Sequence, residues 1–262
     1  LAGKEFYMRS ISLYVERDSL IHKIDSITKL IYTFVSVASP FIMPTILVSS
    51  IFVLANLIVL ALGKVLKKVI PIISFVFLII ITIFIIQGMF YGGNQTELFS
   101  IFSLTFYVEG LIYALRIAMR AVNILLTFSL LILTAKPSEL IESMVRRGLS
   151  PKIGYVMHSV LQIIPIMSSK ASTIMDAQKS RGMETEGNLW IRMKAFIPLI
   201  GPLVMNSLVD THERSIALEV RSFSADTKKT FLNEERIPPG MKYLRILFII
   251  IFIAVIVWRI SL

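Results

Sequence analysis

The sequence predicts an all-α, polytopic integral membrane protein with about five transmembrane helices. A cytoplasmic helical domain of two long amphipathic helices plus a short one completes it. Three observations carry this: apolar content, the length of the apolar runs, and the placement of lysine and arginine between them. Hydrophobic residues make up 55% of the 262 and the mean hydropathy is +0.77. Long apolar runs are broken only by short Gly, Pro or Lys punctuation, a pattern that a soluble core cannot absorb. The net charge of +10 raises nucleic acid as a partner. No RNA- or DNA-binding motif accompanies it, and membrane proteins collect cations in cytoplasmic loops for topological reasons, so no nucleic acid is expected. The absence of cysteine removes disulfides, thiolate metal sites and cysteine nucleophiles together. Leu1 to Glu5 lack the charged, apolar and small-residue order of a signal peptide.

The first apolar block, Lys29 to Leu62, is too long for one helix, and Pro40 and Pro44 bracket Phe41-Ile42-Met43 in its middle. Prolines at both ends of a tripeptide mark a turn. The block therefore reads as a hairpin, with a short span near Ile27 to Ser39 and a second near Thr45 to Leu62. A third span, Val69 to Phe90, has only Ser74, Thr82 and Gln87 as polar side chains. A fourth runs from about Tyr107 to Ala135, and a fifth from Tyr243 to Ile260. Arg116 and Arg120 share one face of the fourth span, where snorkelling or pairing with Glu109 is the plainest account.

Charge orients these spans. The linker 63–68 carries Lys64, Lys67 and Lys68, whereas residues 91–108 carry neither Lys nor Arg. The positive-inside rule puts the first linker in the cytoplasm and the second outside. A cytoplasmic N-terminus follows, with residues 1–135 holding the N-terminal region and four spans, a cytoplasmic domain at 136–240, and the last span at 241–262.

A connection as long as 136–240 inside a compact membrane protein requires structure of its own. Pro137-Ser138-Glu139-Leu140 opens a short helix closed by Arg146-Arg147-Gly148, acid at the positive end of the dipole and base at the negative. Ser150-Pro151 opens a longer one with a capping residue before Pro at the first helical position. Along it, Ile153, Val156, Val160, Ile163, Met167, Ala171, Ile174 and Gln178 form one stripe at steps of three and four. Pro165 falls near the middle and predicts a kink. A third helix, Asn188 to about Phe223, has an apolar centre at 195–209 containing Pro198, Gly201 and Pro202. Arg192 and Lys194 on one side and Asp210, His212, Glu213 and Arg214 on the other bound it too tightly for a span, so it is expected to lie at the cytoplasmic interface.

Each of the two long helices closes on an arginine between small residues: Ser180-Arg181-Gly182 and Val220-Arg221-Ser222. Such an arginine can push its fork into a partner's groove and pair with a carboxylate. A cation at a helix C-terminus is also favourable by about 0.3–1 kcal/mol without any partner, so one triplet decides nothing. Two at matching ends of consecutive helices point to a two-pronged contact with a partner that itself has two copies or two halves.

Taken together, these segments resemble the transmembrane T component of energy-coupling factor transporters, the family that includes the permease subunit of cobalt and biotin uptake systems. The resemblance covers most of the chain. Ser19-Leu20-Ile21-His22-Lys23-Ile24-Asp25, followed by Lys29-Leu30, is similar to the family's N-terminal signature, with Ser26-Ile27 in place of the usual Pro-Arg. Lys136-Pro137-Ser138-Glu139-Leu140 resembles the start of its coupling domain, and Ile197-Pro198-Leu199-Ile200 has a counterpart there. Ala177-Gln178-Lys179-Ser180-Arg181-Gly182 and Ala217-Leu218-Glu219-Val220-Arg221-Ser222-Phe223 resemble the paired Ala-Arg-Gly motifs that end the family's coupling helices, with Val220 and Ser222 replacing Ala and Gly. The resemblance implies a multi-pass protein of a prokaryotic cell membrane. It implies that each motif docks on one of two cytoplasmic ABC ATPases, identical or different, while a separate membrane-embedded S component captures a vitamin or transition-metal ion.

No cofactor and no catalytic or metal-binding residue is expected in the chain itself. His22, His158 and His212 are scattered, and Ile216 stands where a helical zinc-protease motif would need histidine. Gly182 and Gly187 have the Walker A spacing, but Asn188 replaces the lysine that would reach the phosphates. The competing readings are a conventional ABC permease subunit, a solo secondary carrier and a membrane-embedded enzyme. A solo carrier would show repeats, broken spans and midplane polarity, and spans two, three and five are nearly free of ionisable groups.

Overall fold

The computed structural model describes residues 14, 15, 17, 19–101, 104–183, 188–225, 230, 231 and 240–261. Leu1–Glu5 and Gly187, used in the sequence reading, lie outside them. The chain divides into two compact units, one comprising 13–144 with 235–262 and the other 1–12 with 145–234.

The larger unit is a helical bundle. Helix α1 (Ser26–Ile42) runs through Pro40, so the expected turn begins later, at Met43. The Thr45 hydroxyl then accepts from the Val48 N–H to start α2 (Ile46–Leu62). Helix α3 (Leu66–Phe90) follows after the left-handed residue Lys64. Between α3 and α4 (Val108–Thr134) the chain forms a two-stranded antiparallel hairpin, β1 (Glu97–Ile101) and β2 (Leu104–Tyr107), which the all-α expectation does not include. Helix α5 (Pro137–Arg146) ends the first part of this unit, and α8 (Met241–Ser261) completes it. The fold is all-α apart from that hairpin. Helices α3, α4 and α8 are long and apolar enough to cross a membrane, while α1 and α2 are apolar but 17 residues each.

Helix α4 is the axis of the bundle: 44% of its spanning window is buried, against 6% for α3 and for α8. Its C-terminal end packs Leu126, Leu130 and Leu133 with Leu60, Val65, Val69 and Ile21. Helix sense follows from pairs along α1. Lys29 meets Thr134, Ser36 meets Thr127, and Phe41 meets Arg120, so α1 and α4 are antiparallel. Asp25 meets Arg245, Tyr32 meets Phe248, and Phe34 meets Phe252, so α1 and α8 are parallel. Helix α4 therefore ends, and α8 begins, on one and the same side of the bundle. The long segment between them leaves and returns on the side that also carries Lys64, Lys67 and Lys68, as charge patterning required.

The smaller unit contains α6 (Pro151–Ser180) and α7 (Leu189–Val220). Both are continuous through their prolines, Pro165 in α6 and Pro198 and Pro202 in α7. Neither is among the described helices apolar enough to span.

Candidate functional site

The two arginine triplets end their helices with the same backbone device. At the end of α6 the Gly182 N–H bonds to Lys179 O at 2.9 Å and the Met183 N–H reaches back to Gln178 O at 3.1 Å. At the end of α7 the Ser222 N–H bonds to Glu219 O at 2.9 Å and the Phe223 N–H to Leu218 O at 3.0 Å. These paired bonds are Schellman closures, which need a left-handed residue just past the helix. Gly182 supplies it at φ 88° and Ser222 at φ 54°. A side chain in that region costs about 1–2 kcal/mol, so the replacement of glycine at Ser222 leaves the closure in place but strained. In consequence Arg181 and Arg221 are both helix-capping residues, with φ/ψ of −88°/9° and −83°/7°. Both are exposed, and neither guanidinium has a protein partner among the described residues.

Helices α6 and α7 meet through residues forty positions apart, the same offset that separates the arginines. Lys170 pairs with Asp210, and the Ser207 hydroxyl donates to Met167 Sδ at 3.1 Å. Side chains that touch their own equivalents lie near an approximate two-fold axis relating the helices. The Tyr155 and Phe223 rings, with centroids 5.3 Å apart, show that the start of α6 lies by the end of α7. The helices therefore cross in antiparallel sense, and the two arginines point away from the crossing at opposite ends. Each lies eleven residues past the Lys170–Asp210 pair, about 16 Å of helix. Tyr155, Arg214, Ala217, Leu218 and Arg221 line a shallow hollow beside the second triplet.

The apolar stripe of α6 divides at this crossing. From Ile163 onward its members are half-buried, whereas Ile153, Val156 and Val160 are at least half exposed. Helix α7 turns Leu199, Leu203, Ser207, Asp210, Arg214 and Leu218 inward and leaves Ile197, Ile200, Val204 and Leu208 exposed. An open greasy surface thus flanks a short packed centre.

The N-terminal motif residues are brought together in the larger unit, where they tie chain segments rather than build a cavity. His22 uses both ring nitrogens, Nε2 donating to Val15 O at 2.8 Å and Nδ1 lying 2.7 Å from Ser19 Oγ. Since Val15 O only accepts, Nε2 carries the proton and the Ser19 hydroxyl donates to Nδ1. The Val15 N–H in turn bonds to Leu133 O. Lys29, 6% exposed, donates to Thr134 O at 2.8 Å and so satisfies a carbonyl at the negative end of α4. Asp25 receives the Arg245 fork at 2.6 Å while Arg245 Nε donates to Thr28 Oγ1. Start of α1, end of α4 and start of α8 are thereby fastened at the level where residues 136–240 depart.

Sequence reasoning missed a polar cluster midway along the bundle. Asn56 and Asn123 are fully buried, as are Ser36 and Thr127. Asn56 Nδ2 lies 2.9 Å from Ser36 Oγ, Asn123 Oδ1 and Thr127 Oγ1, and Asn56 Oδ1 accepts from the Tyr32 hydroxyl at 2.9 Å. Asn123 Nδ2 donates to Ser36 O at 2.7 Å. Each group spends its capacity on another, so the cluster fastens α1, α2 and α4. Of the two accounts of Arg116 and Arg120, snorkelling or pairing with Glu109, the pairing is not formed. Glu109 instead holds the hairpin, accepting from Thr96 Oγ1 at 2.7 Å and from the Thr96 and Gln95 N–H groups at 3.1 and 3.3 Å. No group of three or more metal-ligating side chains occurs among the described residues.

Comparison with known proteins gives the family. The family model for CbiQ, cobalt transport protein, matches residues 17–231. The energy-coupling factor transporter transmembrane protein EcfT of Lactococcus lactis subsp. cremoris is 30% identical over 260 residues, covering 94% of this chain and 96% of its own. Its counterpart in Ruminiclostridium cellulolyticum is 31% identical over 245 residues, 87% and 88% of the two chains. That of Bacillus selenitireducens is 30% identical over 236 residues, 84% and 85%. The chain belongs to the CbiQ cobalt transport protein family, as a transmembrane T component of the energy-coupling factor type.

Proposed function

We propose that this chain is the coupling subunit of an importer. It links two cytoplasmic ABC ATPases, identical or different, to a membrane-embedded S component, for ATP-driven uptake of a vitamin or transition-metal ion. Residues 136–240 act as the coupling domain. Arg181 and Arg221 are the prongs, each held at a helix end by its small neighbours Ser180 and Gly182 or Val220 and Ser222. Pro165, Pro198 and Pro202 shape the helices that carry them. The chain hydrolyses no ATP itself. By the positive-inside rule, the side carrying Lys64, Lys67, Lys68 and the coupling domain faces the cytoplasm.

The observation that supports this reading best is the match between the two triplets: same Schellman closure, same offset from the crossing, both forks unused. Helix capping alone requires neither the equivalence nor the exposure. If each fork pairs with a carboxylate in a desolvated groove, truncation costs about 2–5 kcal/mol at that contact. The ATPases co-expressed with the full chain should co-purify with either single alanine variant, because the second prong holds them by avidity. They should be lost from Arg181→Ala, Arg221→Ala, with uptake abolished and only partial recovery by lysine, which lacks the fork. Normal co-purification and uptake by a well-expressed double variant would refute the proposal.

A further inference from the structure

Two cations in α4 have no counter-charge among the described residues. Arg120 Nε is buried without an acceptor, and the guanidinium carbon lies 5.4 Å from the Phe41 ring centroid. Arg116 is exposed one turn nearer the hairpin, and neither forms an ion pair among the described residues. Glu109 is engaged by the hairpin and Asp25 by Arg245.

Bundle geometry places these arginines at a step. Ser50 Oγ contacts Met119 Sδ, and Phe41 lies against Arg120, so the α1–α2 turn at Met43–Thr45 is level with about the tenth residue of α4. Helices α3 and α4 continue past it to the hairpin, where a Cβ built on Gly110 would lie 2.3 Å from Gln87 O. The bundle on the hairpin side is therefore about 12–15 Å lower over α1–α2 than over α3–α4. Side chains of a helix lean toward its N-terminus, which for α4 is the hairpin side. Both forks thus reach toward the leaflet above the step. They are four residues apart on one face, close enough to share one tetrahedral anion.

We infer that Arg116 and Arg120 bind the phosphate of a membrane phospholipid that settles over the α1–α2 turn in the hairpin-side leaflet. A lipid is favoured over a partner's carboxylate because Arg116 is open to the leaflet and the charges need neutralising once α4 is inserted, before any subunit joins. The exposed Phe41 and Leu47 beside the turn give the displaced acyl chains an apolar bed.

The test is native mass spectrometry of the full chain in detergent with palmitoyl-oleoyl phosphatidylglycerol, phosphatidylcholine or the matching diacylglycerol. Both phospholipids should be retained, since the phosphate is common to them, and diacylglycerol should be retained about tenfold less. Arg116→Gln, Arg120→Gln should lower phospholipid retention by about tenfold, Arg120→Lys by less, and Lys67→Gln, Lys68→Gln on the opposite side not at all. Arg116→Met, Arg120→Met removes the unpaired charge and keeps the bulk, which serves if the glutamine variant fails to fold. Equal retention of diacylglycerol by the unaltered chain would overturn the inference without any variant. So would displacement by excess inorganic phosphate, or loss of the lipid when the partner subunits assemble, which would assign the arginines to a free anion or to a protein carboxylate.

Discussion

The membrane bundle and the α6–α7 pair use polar groups in opposite ways. In the bundle, Asn56, Asn123, Ser36 and Thr127 are fully buried and satisfied by one another. In the helical pair, Arg181 and Arg221 are exposed and unspent, and the surrounding α7 surface leaves Ile197, Ile200 and Leu208 open. Hydrocarbon offers no hydrogen bonds, so a polar group midway along the bundle, out of reach of headgroups, must close on its own chain. A helix pair that meets another protein gains by keeping its groups available. The difference separates what holds the chain together from what is offered outward.

Breaking the closed region should have the largest effect on stability. Asn56→Ala removes a donor that faces the Ser36, Asn123 and Thr127 side chains and the Phe52 carbonyl, and strands the Tyr32 hydroxyl, an expected loss of about 2–4 kcal/mol. Unfolding in mixed dodecyl sulfate micelles measures it. A loss under about 1 kcal/mol would mean that water or lipid already serves these groups. The helix closures sharpen the other side. Gly182→Ala should cost about 1 kcal/mol, whereas Ser222→Gly should be neutral or gain up to about 1 kcal/mol by relieving the left-handed strain. Thermal unfolding of both variants in one detergent tests the opposite signs. Smallest of all is the pair at the crossing. Lys170 and Asp210 are each about one-third exposed, so a double-mutant cycle to alanine should give a coupling below about 1 kcal/mol that fades in salt.

Much of the fold was legible because the apolar runs are long and their punctuation is basic. Where the second span was expected, at Thr45 to Leu62, the helix is Ile46–Leu62, and where the fourth was expected, at Tyr107 to Ala135, it is Val108–Thr134. Pro40 misled by position: it lies within the last turn of α1, where its missing N–H costs one bond and the helix still runs on to Ile42. The hairpin was missed although Leu98, Phe99 and Ile101 against Leu104, Phe106 and Tyr107 are strand-forming residues, because charge, not β-propensity, was being read there. Asn56 and Asn123 were invisible as partners since nothing local in two apolar helices links residues 67 positions apart. Both arginine triplets, by contrast, were readable from spacing alone, since helix ends are set by their neighbours in sequence.

The Asp25–Arg245 latch joins residues 220 positions apart, and this separation bears on how the protein is made. Ribosome and translocon deliver α1 before α8, with the whole of residues 136–240 synthesised in between. Until then the Asp25 carboxylate, 7% exposed in the finished bundle, lacks the guanidinium that closes over it. Helix α8 otherwise has little cover of its own, so the latch adds a charged tie to its ring contacts with α1. A polypeptide truncated before Arg245 lacks this guanidinium and with it the rings that pack against Tyr32 and Phe34, so α1 loses its neighbour along its whole first half.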